Sequence, residues 1–305
     1  MKQVGQGLPR IVCAHEGLTH QEGMNMGFLL LAFNQIIVKE VNQGLQPVFF
    51  AGLRSALAVA FVYAFLKWRG LTSRLRRSDL VPGVLMGTVF AAEFLCLFMA
   101  LDLTLVSRAS VIFYSMPVWM GILAHFFIPG ERATPMKAAG LALAFLGTAW
   151  AITSRGGANA GQVSWLGDAC ALVGALGWAG TAFIARTSRL KDAGPEAQLF
   201  WMVIVSAPIL LAVSPLFGPL IRDVTPMHWV WLVIQSGVVV AGAFVTWMWL
   251  LSVYPTSTVA SFSFLTPILS ILLGHFLFGE VLSLTLLGAA ALVSVGIILI
   301  NQKAR

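Results

Sequence analysis

The chain has 305 residues, of which 58% are hydrophobic and only 10% carry a charge. Water-soluble domains have about 45–50% apolar and about 25% charged residues, so this composition excludes a soluble globular protein, a disordered chain and a collagen. The net charge of +7 does not indicate nucleic-acid binding, because the basic residues lie in short polar gaps. Lipid is therefore the solvent that the sequence requires.

Ten hydrophobic runs are bounded by charged residues, glycine or proline. In chain order, we predict membrane spans at 26–41, 47–66, 80–101, 107–128, 136–153, 164–186, 197–217, 228–252, 257–278 and 283–300. Strands of a membrane barrel would alternate apolar and polar residues, which these runs do not. The prediction is an all-α integral membrane protein with ten transmembrane helices.

Residues 1–25 are predicted to form a cytoplasmic N-terminal tail, since they lack the apolar core of a secretory signal. The sequence leaves open whether residues 1–23 belong to the native protein, because Met24 and Met26 are alternative starts.

The positions of the basic residues predict the orientation. Fourteen of the nineteen lysines and arginines lie in the tails and loops on one side of the predicted spans. Because basic residues concentrate on the cytoplasmic side, both termini are predicted to be cytoplasmic. A multi-pass protein of the inner (plasma) membrane is expected.

The chain repeats itself about 150 residues apart, a period that indicates two structural copies. The stretch SRASVIFYSMPVWMGILAHFFIPGER aligns with STVASFSFLTPILSILLGHFLFGEV, so that Ser107 matches Ser257 and Pro117 matches Pro267. Five spans per copy is an odd number, so the second copy enters the membrane in the opposite sense. We predict two inverted five-helix repeats, at 26–153 and 164–300, an architecture typical of secondary transporters.

These residues carry a family resemblance. Small polar residues before a proline within a span, followed by Gly-Glu-Arg and a glycine-rich helix, resemble the EamA-like family of the drug/metabolite transporter superfamily. NQIIVK at 34–39 and GDACALVGALGWAGTAFIAR at 167–186 are similar to the end of that family's first span and the start of its second repeat. The resemblance implies ten helices and export or exchange of small metabolites without ATP hydrolysis. Leu31 departs from the family's tryptophan, whereas Trp178 fills the equivalent place in the second copy.

Four polar side chains are expected to converge in the outer half of the first repeat. Insertion of an ionisable residue into a span costs about 2.5–3.5 kcal/mol, so each such residue is expected to have a structural or functional role. At about 1.5 Å per residue, Glu93 lies about 12 Å and Arg54 about 10 Å below the same interface. Asn34 and Tyr114 fall at a similar depth.

Two interpretations of these residues stay open. In one, Glu93 is a site for a coupling proton or a substrate ammonium group. In the other, Arg54 and Glu93 form a buried ion pair that positions helices. Trp178 either stacks on a ligand or packs against other helices. Pro117 and Pro267 each remove a backbone hydrogen bond within a span, which predicts either a hinge lining a cavity or a passive kink.

No metal site, cofactor or catalytic group is predicted. His125 and His275 occupy matched positions on opposite sides, and Glu131 and Glu280 are expected to cap the helices that follow them. The leading hypothesis is a secondary active transporter that exports small metabolites, such as amino acids or related amphipathic compounds, by alternating access. The alternative is a membrane-embedded transferase or hydrolase acting on a lipid-soluble substrate. The expected partners are a small-molecule substrate and the lipid bilayer, without nucleic acid; proton coupling, and a monomer or homodimer, stay open.

Overall fold

The computed structural model describes residues 33–71, 76–128, 134–154, 161, 163–243 and 265–301. The predicted tail at 1–25, Leu31, Glu131 and Ser257 lie outside these residues. Across the described ranges the regular structure is helical, with one isolated antiparallel bridge between Leu45 and Ile221.

The helices are named here in chain order. They are α1 (33–44), α2 (Pro47–Trp68), α3 (Leu80–Leu103), α4 (Val106–Phe113), α5 (Met116–Phe127), α6 (Pro135–Thr153), α7 (Trp165–Thr187), α8 (Pro195–Val213), α9 (Pro226–Ile234), α10 (Leu265–Phe278) and α11 (Leu284–Asn301). A π-helical segment, Gln235–Ala243, continues α9.

Several helices begin at a proline that follows a capping side chain. Gln46, the residue before Pro47, accepts a hydrogen bond from the backbone N–H of Phe49. Thr134, the residue before Pro135, accepts one from the backbone N–H of Lys137. Proline is favoured at the first helical position because the N–H that it lacks has no partner inside the helix. These local signals explain why the predicted starts of the second and fifth spans lie within a residue of the observed ones.

Seven helical stretches within the described ranges are long and apolar enough to cross a membrane. Two shorter apolar helices, Pro226–Val240 and Thr266–Phe278, fall in the eighth and ninth predicted spans. Large apolar side chains cover the outside, including Leu284 at 86% and Val81 at 78% exposure. Such a surface requires lipid, which supports an integral membrane protein.

Glycines allow helices from the two halves of the chain to pack closely. A Cβ on Gly296 of α11 would lie 2.6 Å from the carbonyl oxygen of Gly140 of α6. On α3, a Cβ on Gly83 would lie 2.5 Å from the Trp201 ring of α8. Small residues let helix backbones approach within a membrane, so the two halves share one core.

Candidate functional site

Uncharged polar side chains, all buried except the half-buried Asn34, lie where helices from both halves meet. We call them the polar row, and it comprises Asn34, Gln35, Ser110, Tyr114, Gln235, Thr266 and Ser270. The Gln35 side-chain oxygen on α1 accepts a hydrogen bond from the Ser110 hydroxyl on α4. Tyr114, at the end of α4, is 5% exposed, and its hydroxyl lies beside Gln35 and Thr266. The polar row therefore connects α1, α4 and α10.

Four polar atoms of this row are buried without a hydrogen-bond partner in the described structure. They are Asn34 Oδ1, Gln235 Oε1, Thr266 Oγ1 and Ser270 Oγ. Each such atom costs about 1–3 kcal/mol when nothing satisfies it, so the site has unused capacity for a polar ligand or water. Gln235 also donates from Nε2 to the backbone oxygen of Asn34 at 3.1 Å, and it begins the π segment.

Arg54 lies on α2 next to two aromatic rings of α3. Its Cζ atom is 4.3 Å from the centre of the Phe94 ring and 5.5 Å from that of Phe98. The side chain is 6% exposed, and its Nε atom is buried without a partner in the described structure. The rings stabilise the cation through their faces, but they accept no ordinary hydrogen bond.

Glu93 lies in the contact between α3 and α7. It is 2% exposed, and its Oε2 atom accepts a hydrogen bond of 3.3 Å from the Thr181 hydroxyl. A Cβ on Gly177 would lie 2.8 Å from the Glu93 Cβ, so the absence of a side chain there lets α7 approach α3 closely at Glu93. Glu93 and Arg54 attract each other electrostatically, yet no ion pair within 4.0 Å joins these two described residues.

The structure sorts the predicted site residues into two neighbouring groups. Arg54 and Glu93 lie at the α2, α3 and α7 contacts, whereas Asn34 and Tyr114 belong to the polar row. The two groups meet at Gly174 of α7. Phe113, the residue before Tyr114, and the backbone of Glu93 both approach this glycine, with Phe113 Cδ2 and the Glu93 carbonyl oxygen within 3.5 Å of the position that a Cβ on Gly174 would occupy.

Trp178, Pro117 and Pro267 each sit at the edge of these groups. Trp178 follows Gly177 on α7, is half-buried and packs against the main core. The helix of the fourth predicted span is interrupted at Tyr114 and Ser115, directly before Pro117 near the start of α5. Pro267 is buried close to the first described residue of α10. Ligand stacking and hinge motion stay predictions.

Charged residues connect several helices at their ends. Arg108 binds Asp168 through two contacts of 2.8 and 2.9 Å, and it donates to the backbone oxygens of Ser154 and Ile152. Asp168 is 1% exposed and pairs with an arginine 60 positions away in the chain.

A second salt bridge joins Arg222 to Asp102 through two contacts of 2.8 and 3.0 Å. Arg222 also donates to the backbone oxygen of Asn42 at 2.8 Å. The segment before α9 is thereby held against the ends of α1 and α3.

Glu280 caps a different helix from the one expected. Its carboxylate accepts hydrogen bonds from the backbone N–H groups of Val106 and Ser107, at 2.6 and 3.0 Å, and from the Ser107 hydroxyl. The expectation that Glu280 caps the helix after it, α11, is therefore wrong. The carboxylate lies at the start of α4 because the free N–H groups there have no partner within their own helix.

Sequence reasoning missed Gln35, Ser110, Gln235, Thr266 and Ser270. Their signal was the occurrence of amide and hydroxyl side chains within otherwise apolar spans. Serine and threonine are common in membrane helices, where they often bond to their own backbone, so composition does not single these residues out. The described residues contain no group of three or more His, Cys, Asp or Glu side chains that could hold a metal ion.

The fold and the site define a multi-pass helical membrane protein with buried polar groups between its two halves. The chain belongs to the EamA-like transporter family, whose model matches residues 25–153 and 165–302. The membership expected from the sequence is confirmed. The protein is therefore a membrane transporter of a small molecule, located in the inner membrane, and the alternative of a membrane-embedded transferase or hydrolase is set aside.

Two relatives from Bacillus subtilis (strain 168) are similar to the chain. The uncharacterized transporter YoaV is 23% identical over 274 residues, covering 88% of this chain and 92% of YoaV. The uncharacterized transporter YvbV is 30% identical over 202 residues, covering 64% of this chain and 63% of YvbV. One solved crystal structure has the same fold, with a TM-score of 0.64 and 23% identity over 92% of this chain and 96% of its own.

Proposed function

We propose that the protein is a secondary active transporter that exports small amphipathic metabolites, such as amino acids, by alternating access. In this proposal ten helices cross the membrane in two inverted five-helix repeats, 26–153 and 164–300, with both termini in the cytoplasm. The observation that carries it is the set of buried, unpartnered polar atoms supplied by both halves.

Those atoms suit a ligand with a polar head and an apolar body. Asn34 and Gln235 offer amide oxygens, which accept hydrogen bonds, and Thr266 offers a hydroxyl that both donates and accepts. The partly buried Trp178 packs against the same hydrophobic core cluster that contains Tyr114 of the polar row. Asn34 lies in the first repeat and Gln235 and Thr266 in the second, so relative motion of the repeats would change access to all three.

The contacts between charged residues at the helix ends support a conformation that is closed on the side proposed to be extracellular. Arg222 with Asp102, and Glu280 with the start of α4, link segments of the two repeats at the side proposed to be extracellular. Opening to that side would break these contacts. The resulting cost would be recovered when the repeats close again, which is the cycle that alternating access requires.

Glu93 is the group proposed to couple transport to protons. It is a buried carboxylate in the middle of a span, with one hydroxyl donor, Thr181, and one nearby cation, Arg54. Buried carboxylates in membrane helices commonly mark proton pathways. Binding of substrate beside Arg54 would change the field at Glu93 and with it the affinity for a proton.

The test is flux of a metabolite panel into liposomes containing the purified full chain, with and without a pH gradient. We expect saturable flux without chemical change, and acceleration by a proton gradient. Glu93→Gln should remove that acceleration, whereas the matched carboxylate variant Glu40→Gln, at a half-exposed position, should not. Absence of flux for the whole panel, despite a folded protein, would refute transport; equal acceleration in Glu93→Gln would refute coupling through Glu93.

A further inference from the structure

The guanidinium of Arg54 is buried without a hydrogen-bonded acceptor. Its side chain is 6% exposed, and neither an ion pair nor a hydrogen bond reaches it within the described part of the chain. Arginine stays protonated in proteins and presents five N–H donors. A buried cation of this kind is costly unless an acceptor satisfies it, so the site is incomplete as it stands.

The aromatic rings around Arg54 leave its donors free. The Phe94 ring, at 4.3 Å, and the Phe98 ring, at 5.5 Å, stabilise the cation through their π faces. The N–H groups point outward in the guanidinium plane, where two parallel donors match the two oxygens of a carboxylate. Phe98 also packs against Phe50 at 5.1 Å, and Phe94 against Phe90 at 4.5 Å, which extends the apolar surface.

From this arrangement we propose that Arg54 binds the carboxylate of the transported molecule, while the phenylalanine rings contact its apolar body. The substrate class is a small monocarboxylate with an aliphatic or aromatic side chain, with or without an amino group. This inference rests on the proposed transport function, because it takes the transported molecule as the missing acceptor.

Glu93 is the competing negative charge near Arg54. It accepts a hydrogen bond from Thr181 of α7, and among the described residues neither a hydrogen bond nor an ion pair within 4.0 Å joins it to Arg54. A carboxylate bound by Arg54 and an ionised Glu93 repel each other. Glu93→Gln should therefore bind a carboxylate at least as tightly as the wild type. If Glu93 were instead the acceptor that satisfies Arg54, this variant would melt at a lower temperature and bind carboxylates no better.

The experiment compares three probes on the purified full chain in detergent, by the shift that each causes in melting temperature. 4-Methylpentanoate has the carboxylate alone, leucine has carboxylate and ammonium, and leucinamide has the ammonium alone. Arg54→Gln is compared with Arg54→Lys and with Lys67→Gln, which removes one charge from an exposed position on the same helix.

We expect the wild type and Lys67→Gln to bind both carboxylate probes more tightly than leucinamide. Arg54→Gln should lose about thirtyfold or more in affinity for those two probes, since removal of one member of a buried charge pair has an effect of this order. Its weak binding of leucinamide should not change. The affinity of Arg54→Lys for the carboxylate probes should lie between those of the wild type and Arg54→Gln, because lysine keeps the charge but loses the two-point hydrogen-bond geometry.

Three results would each overturn the proposal. The wild type could bind the acids and the amide equally, the wild type could bind none of the probes, or Arg54→Gln could bind the acids as tightly as the wild type does. Should Arg54→Gln elute as an aggregate, Phe94→Leu provides the second test, and acid affinity must fall there by several-fold. Wild-type protein that binds the acids but transports no compound refutes transport alone. Transport of the acids by Arg54→Gln with an unchanged KM refutes the Arg54 site alone.

Discussion

Replacement of Glu280 by glutamine should weaken the contact that joins the two halves of the chain at the start of α4. The carboxylate is 4% exposed and accepts three hydrogen bonds from Val106 and Ser107. Hydrogen bonds to a charged group contribute about 1.5–3 kcal/mol each, and a glutamine oxygen retains part of them, so we expect a net loss of about 2–3 kcal/mol. A loss of this size lowers the melting temperature by roughly 4–12 °C.

Two further variants perturb the same contact and allow their losses of stability to be compared with that of Glu280→Gln. Ser107→Ala removes one hydroxyl donor and should cost about 1 kcal/mol. Gly274→Ala adds a Cβ that would lie 2.7 Å from Glu280 Oε2, so it should displace the carboxylate without removing its charge. The control is Glu40→Gln, whose side chain accepts a 3.4 Å hydrogen bond from Gln43. Melting in detergent by size-exclusion chromatography ranks the four variants, and Glu280→Gln as stable as the control would refute the cap.

Three other changes have expected outcomes. Arg108→Gln removes the cation that pairs with the buried carboxylate of Asp168 and should destabilise the protein by about 3–5 kcal/mol. The double variant with Asp168→Asn should melt above the single one, and a lower melting temperature would contradict the pairing. Gly296→Ala places a Cβ 2.6 Å from the Gly140 oxygen and should lower the melting temperature, unlike the exposed Val295→Ala beside it. Gln235→Ala should reduce liposome flux at least severalfold without a change in elution profile, and normal flux would remove Gln235 from the substrate site.

The sequence alone predicted the positions of helices far better than their faces. Pro47 and Pro135, with the charges between the spans, locate helix starts through local chemistry that needs no folded structure. The inward face of α3 could not be found in this way, because a helix that is apolar on all sides has no polar stripe to indicate it. Depth estimates put Glu93 and Arg54 at one level, but only packing shows that Glu93 faces Gly177 of α7.

Long-range contacts were beyond sequence reasoning for a similar reason. Glu280 lies next to its own following helix in the sequence, which made a local cap the natural expectation. The fold offered a better partner, the free N–H groups at the start of α4, at a distance of 173 positions. The break at Tyr114 and Ser115 was partly foreseen from Pro117, whereas the unpartnered oxygens of Asn34 and Gln235 depend on which helices meet.

The central claim is that two five-helix repeats cross the membrane in opposite senses. Its most direct test is single-cysteine labelling close to Gly130-Glu131 and Gly279-Glu280, with Ala133→Cys and Val281→Cys, after replacement of Cys13, Cys96 and Cys170. We predict that a membrane-impermeant maleimide labels Val281→Cys on intact cells and Ala133→Cys only after permeabilisation. Labelling of both cysteines from the same side would contradict the inverted repeat and, with it, the proposed transport cycle.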